Sequence, residues 1–450
     1  MRVVVAGGGI AALEVLSGLR ALAGDRVTAT LVAPVTRFSY RPLSTAAPFT
    51  FRNERTRSLA ELAGGLGARF AHDGLAQVDE SRSRILTQKG DLLSYDVLVV
   101  AVGARTRPGA EAAHAWTRGP EGMSRFTEVL RGLESGNVKS VAFVVPSGAA
   151  WPVDAYELAF VAGLAAARGD SRAKVLLVTA EGTPLQAFGP AVGEAVAHEL
   201  TLAGIELVTG LEPRDPDEID VDRALFLPVV RGPAIGGMSH DSLGFIPVDA
   251  HARVAGSRSC FAAGDATALS LKHSALSASQ ATAAAEAIAA EAGAEVSPTE
   301  WSSVLHGLLT IPPHFPGERG SPWLDDDEPM THCLWWPPGH VAGRFLAPYL
   351  AASDNGVRPG LGWHPNGVPV AVEVGTGDET GPAPAGPSEE AISRDARTRQ
   401  LMAIRRAERE GRQLELELQR RSSEFERHER ETIEQLEAAG YLSHVPALER

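Results

Sequence analysis

The chain has 450 residues, 44% of them hydrophobic, enough to bury several cores, and domains of roughly 100–200 residues make about three structural units the expectation. A formal net charge of −14 excludes a broad nucleic-acid surface, because neutralising phosphates takes clustered Lys and Arg. Cys260 and Cys333 are the only cysteines, so there is no disulfide framework, CxxC pair or zinc cluster, and a reducing cytoplasm fits. Residues 1–13 carry one Arg, an apolar run and small residues as a signal peptide does, but Glu14 interrupts the run, and export is not expected. Other apolar stretches are broken by Pro or charge well before the ~20 residues of a spanning helix.

In chain order, residues 2–6 read as an apolar strand, 7–9 as glycines, 10–22 as a helix and 27–32 as a second strand. A strand at 97–102 leads into Gly103. A second β-α-β unit follows, with a strand at 140–145, a helix over about 155–168 and a strand at 174–179. Two such units predict a doubled α/β architecture. A short strand at 260–263 precedes Gly264, Asp265 and an alanine-rich helix running to about residue 292. The Trp- and Pro-rich region 297–376 comes next, then a Gly/Pro/Thr-rich linker at 377–387. Residues 388–450 carry opposite charges four apart, as in Glu408/Arg412 and Glu417/Arg421, which supports an exposed charged helix.

The run VVVAGGGIAALE places Gly7, Gly9 and Ala12 in a GxGxxA pattern between strand and helix. Gly7 allows the tight turn, Gly9 lets the backbone approach a pyrophosphate, and Ala12 lets helix and strand pack closely. The helix N-terminus then offers free N–H groups and a favourable dipole to the anion. Where an acid usually binds the adenosine ribose the chain has Ala33 and Pro34, and an absent acid with Arg37 nearby is also the pattern of a 2′-phosphate.

The later segments CFAAGDATAL, residues 260–269, and YDVLVVAVGA, residues 95–104, resemble the pyridine nucleotide-disulfide oxidoreductase superfamily of two-dinucleotide flavoproteins. Within it the chain looks closest to the branch of type II NADH dehydrogenase, sulfide:quinone oxidoreductase and flavocytochrome c sulfide dehydrogenase, without redox cysteines. The resemblance covers roughly residues 1–350 and implies FAD in the first site, held by Gly7, Gly9, Ala12, Ala101, Gly103 and Gly264. It also implies that Asp265 binds the ribityl chain and that the helix starting near His273 points its N-terminus at the flavin.

Lys272, His273 and Ser274 resemble a lysine-containing turn that contacts flavin or quinone in sulfide-oxidising members, which makes Lys272 the candidate catalytic residue; a solvated lysine before a helix is the other reading. For the segment RFSYRPL, residues 37–43, two readings also stand: Phe38 and Tyr40 on the flavin ring with Arg41 offsetting negative charge, or a Pro-anchored turn. In the second unit Pro146, Ser147, Gly148, Trp151 and Pro152 replace the GxGxxG of a pyridine-nucleotide site, which makes NAD(P)H binding doubtful. Tyr156 and Glu157 match the end of the CPPxPYE-like segment of sulfide-oxidising relatives, with Trp151 near the cysteine position.

Cys260 is expected in the core; Cys333 precedes LWWPP, and the Phe345, Leu346, Tyr349 and Leu350 spacing is helical and suits a cap on the first domain, with a quinone pocket as the alternative. The expected domains are 1–108 with 236–296 for FAD, 109–235 as a second nucleotide-binding-like domain, and 297–376 as the cap. The expected activity takes a hydride or electron pair from a small-molecule donor to a quinone-like or protein acceptor, in a cytoplasmic protein with peripheral contact at the inner membrane face and self-association as further options. The rival expectation is a flavin-binding regulatory or scaffold protein that recruits a partner through the C-terminal helix.

Overall fold

The computed structural model describes residues 1–39, 56–107, 116, 120–169, 173–213, 215–310, 343–353 and 367–373. Tyr40, Arg41, Cys333, the linker at 377–387 and the charged tail at 388–450 lie outside the described residues.

Strand β1 (Arg2–Ala6), helix α1 (Ile10–Leu22) and strand β2 (Thr28–Ala33) follow the change in apolar spacing at the glycines. Helix α2 (Leu59–Gly65) starts at Ser58, whose hydroxyl accepts from Glu61 N–H, and leads into β3 (Arg69–His72). Strand β4 (Val97–Val100) is buried throughout. Next come helix α3 (Pro120–Glu134), β5 (Ser140–Val145), α4 (Val153–Arg168) and β6 (Lys174–Thr179). Helix α5 (Pro190–Leu202), β7 (Glu206–Thr209) and β8 (Arg223–Phe226) complete the second unit. The chain then returns to the first sheet as β9 (Cys260–Ala262) and α6 (Ser274–Glu291). Helix α7 (Leu346–Ser353) comes last among the described helices.

The first sheet is parallel in the order β9-β4-β1-β2-β3, and the second is parallel in the order β7-β6-β5-β8. Alternation along β1 sends Val3 and Val5 to a core shared with α1, α2 and α6, and sends Val4 and Ala6 to the opposite face. That second face is covered by an antiparallel meander, Leu75–Asp79, Arg84–Thr87 and Leu92–Ser94, which the apolar spacing of the sequence does not announce. Helices α1 and α6 meet through small residues: a Cβ on Gly18 would stand 2.7 Å from Ala285 Cβ. This close approach is the packing reason for the alanine-rich composition of α6.

The two sheets share a seam. Leu269, Leu271, Ala275 and Leu276, at and before the start of α6, pack into the core of the second sheet. The link segments Arg105–Thr106 and Val230–Arg231 pair antiparallel beside it. The helical spacing at 345–350 is realised in α7: Phe345, Leu346 and Leu350 are buried, the last two in the α1 core. The fully buried Glu14 of α1 holds this segment, accepting from Thr282 Oγ1 (2.7 Å), Phe345 N–H (3.0 Å) and Leu346 N–H (2.7 Å). Farther on, strands Val304–Thr310 and Gly367–Glu373 pair as an antiparallel ribbon.

Cys260 is buried at the head of β9 with Sγ 3.7 Å from the Tyr95 hydroxyl, and burial pushes its thiol above the ordinary value. Reactivity belongs to the exposed thiolate. In a Cys333→Ser variant, Cys260 is therefore expected to resist a chromogenic disulfide reagent in the native protein and to react fully in denaturant. Stoichiometric labelling within minutes under native conditions would contradict this placement.

Candidate active site

The C-terminal ends of β1, β4 and β9 lie side by side, so three segments distant in sequence end at one edge of the first sheet. Strands β2 and β4 flank β1 on opposite sides, which makes this edge the point where strand order reverses and a crevice opens. Gly7 leaves β1 with φ +136°, donates its N–H to Val32 O (2.8 Å), and passes so close to the β4 end that an added Cβ would lie 2.0 Å from Ala101 O. Gly9 is the N-cap of α1, and a Cβ placed on it would meet nothing within 4 Å. Ala12 is fully buried beneath the turn.

At the β4 end, Ala101 N–H donates to Ala6 O (2.7 Å), and Gly103 adopts φ +73° with open space at its Cβ position. At the β9 end, Gly264 takes φ +83°, and its Cβ position is 3.2 Å from Ala11 Cβ, which sets the Gly264–Asp265 turn directly on the first turn of α1. Ser277 Oγ stands 3.4 Å from Asp265 Oδ1. The structure thus brings Gly7, Gly9, Ala12, Ala101, Gly103, Gly264 and Asp265 to one place. Arg41 lies outside the described residues.

The strand end that lacks an acid is also defined. Ala33 is buried at the end of β2, and its carbonyl accepts from Asp73 N–H (3.0 Å). Arg37 is turned to Thr56, with Nε 3.0 Å and Nη2 2.5 Å from its hydroxyl oxygen and Nη2 3.3 Å from its carbonyl. Phe38 is buried in the α1 core.

Lys272 is buried rather than solvated. Its ammonium donates to Thr267 O (2.6 Å) and lies 3.7 Å from the centroid of the Phe245 ring. Burial holds its pKa down to about 8, against the opposing charges of Asp265 and Asp241. His273 is the N-cap of α6: its Nδ1 accepts from Ala275 N–H (3.2 Å), and its ring sits 4.6 Å from that of Trp151. The imidazole therefore fixes the start of α6 and meets the turn of the second sheet.

Gln280 was not singled out by the sequence. It is fully buried on α6, and its Oε1 accepts from Gly264 N–H (2.9 Å) and lies 3.1 Å from Thr267 Oγ1, which is also 2.8 Å from Gly264 O. Gln280, Thr267 and Lys272 together brace the loop that carries Asp265. The one local sign was a glutamine inside an otherwise small and apolar helical face. Among the described residues no group of three or more His, Cys, Asp or Glu is placed to hold a metal ion, and no helix is long and apolar enough to cross a membrane.

The fold is similar to that of the sulfide:quinone oxidoreductase from the hyperthermophilic bacterium Aquifex aeolicus, with 20% identity, a TM-score of 0.56, and coverage of 64% of this chain and 76% of that one. It is similar to putidaredoxin reductase in its covalent complex with putidaredoxin, with 19% identity, a TM-score of 0.53, and coverage of 69% and 79%. A ferredoxin reductase from Rhodopseudomonas palustris gives 18% identity, a TM-score of 0.51, and coverage of 67% and 78%. At these identities the likeness is one of fold. Comparison with curated protein sequences finds no match. The sequence profile of the pyridine nucleotide-disulphide oxidoreductases matches residues 1–287 of the 450, well over half the chain. Together with the parallel sheets and the three converging turns, this match makes the chain a member of the pyridine nucleotide-disulphide oxidoreductase family.

Proposed function

We propose that the crevice at the ends of β1, β4 and β9 binds FAD, and that the protein is a flavin-dependent oxidoreductase passing an electron pair from a small donor to a quinone-like or protein acceptor. The observation that carries the reading is the convergence of Gly9, Gly103 and the Gly264–Asp265 turn, with open space at the Cβ positions of Gly9 and Gly103. A dinucleotide needs such bare backbone beside a helix N-terminus, and the residues present fit it. Gly9 and the first turn of α1 would face the pyrophosphate with N–H groups, and the Asp265 carboxylate would accept from ribityl hydroxyls. The start of α6, fixed by His273, would direct its positive end toward negative charge on the cofactor. Lys272 would add a buried cation beside Asp265 while bracing the loop.

When bound, FAD supplies the two-electron redox chemistry, and the protein supplies orientation and electrostatics. Purified protein is expected to be yellow and, after denaturation, to release FAD rather than FMN. A colourless chain that cannot be reconstituted with FAD would remove the basis of the reading.

A further inference from the structure

We infer that the crevice of the second sheet is sealed by the chain's own side chains, with Trp151 as the residue that excludes nicotinamide dinucleotides; as a statement about the electron donor, this rests on the flavin reading above. In an open α/β sheet a dinucleotide binds outside the C-terminal strand ends, where the order reverses. In the second sheet that place lies beyond β5, between its neighbours β6 and β8.

The turn leaving β5 has little to offer a pyrophosphate. Pro146 and Pro152 have no N–H, and Pro152 is the N-cap of α4. The N–H groups of Ala149 and Ala150 already donate to Pro146 O (3.1 Å) and Pro228 O (3.3 Å). Asp154 puts a carboxylate in the first turn of α4, where it opposes a second anion. Trp151, 6% exposed, fills the remaining space with its ring 5.8 Å from Phe188 and 4.6 Å from His273.

The adenosine side is closed as well. An acid at the end of the second strand of such a unit serves a ribose by accepting from its hydroxyls. Glu181, two residues beyond β6, instead accepts from backbone N–H groups of its own loop, among them those of Gln186 and Ala187, and burial raises its pKa. Leu185 N–H donates to the Tyr156 hydroxyl (3.0 Å), and the Leu185 and Phe188 side chains are buried with Trp151 in one core. The loop at 181–188 is thereby folded down onto α4. The donor class that remains is a reductant without a dinucleotide, which reaches the first crevice without using the second sheet.

Calorimetric titration of the purified full chain with NADH and with NADPH tests this. Binding to the second sheet needs no flavin, so a failure of the FAD reading, seen as a colourless protein, stays distinct from a failure here. The wild type is expected to bind neither dinucleotide up to about 1 mM. The variant Trp151→Gly with Phe188→Ala, its fold checked by melting, is expected to bind NADH detectably, with a Kd of about 0.1 mM, kept weak by Pro146, Pro152 and Asp154. Hydrogen exchange of the wild type at residues 146–152 and 181–188 is expected to be the same with and without NADH, a readout that stands whether or not the double variant folds. Micromolar binding by the wild type with protection of these segments would overturn the assignment, as would a folded double variant that binds no better than the wild type.

Discussion

At pH 4.5, where its contribution is fully present, replacing Glu14 with alanine is expected to destabilise the protein by about 3–5 kcal/mol. The carboxylate is fully buried and takes donors from three directions, Thr282 Oγ1 on α6 and the N–H groups of Phe345 and Leu346 at the start of α7. Helix α7 thus has its N-terminus satisfied by a residue of another helix rather than by a cap of its own. A buried donor left without a partner costs about 1–3 kcal/mol, and the substitution orphans two backbone donors and a hydroxyl while opening a hole in the α1 core. Gly343, with φ +93° and a Cβ position 2.4 Å from Glu14 Cδ, brings the backbone before α7 directly against the carboxyl group. Urea unfolding should therefore show a lower midpoint in the variant, and loss of less than about 1 kcal/mol would mean that α7 is held by its apolar face alone.

The same residue makes stability depend on pH. Burial raises the Glu14 pKa from its ordinary value of 4.5 to about 7, in opposition to its hydrogen bonds. Because the folded state holds the proton more tightly than the unfolded state, the contribution is fully present below pH 4.5 and is lost as pH rises through 7. A shift of this size corresponds to about 3 kcal/mol across that window. Glu14→Gln keeps an acceptor but cannot titrate, so its stability should vary less between these limits than that of the wild type. Equal slopes in the two proteins would place the titration elsewhere.

What the sequence made legible follows the range of the forces involved. The bounds of β1, α1, β5 and β6 are set by a local change of apolar period and by glycines, and they were read to within a residue. The convergence of Gly9, Gly103 and Asp265 was reached only through the resemblance, because nothing local to any of them names the others. The meander at 75–94 has short strands that leave Leu86 and Leu92 exposed, which blurs the alternation that announces a strand. Glu14 entered only as a break in an apolar run, since its partner Phe345 lies 331 residues away. Trp151 was read as an obstacle to a dinucleotide, but its contacts with Phe188 and His273 come from elements that only the fold brings together.

The two glycines of the first turn should fail in different ways. At Gly7 an added Cβ would lie 2.0 Å from Ala101 O and 2.5 Å from Ala101 C, both backbone atoms, and φ is +136°. No rotamer relieves this, so Gly7→Ala must part β1 from β4 and is expected to cost several kcal/mol, on the order of 4 or more, or to give no soluble protein. Gly9 has φ −97°, which any residue adopts, and open space at its Cβ position. Gly9→Val should therefore leave the melting temperature of the flavin-free protein within a few degrees of the wild type, a shift of less than about 1 kcal/mol. Its methyl groups would instead stand where the backbone has to approach the pyrophosphate, and FAD affinity should fall about a hundredfold or more. Melting the apoprotein and titrating it with FAD by fluorescence quenching separates the two effects. A Gly9→Val protein that folds normally and keeps wild-type FAD affinity would mean that the cofactor does not pass over this turn.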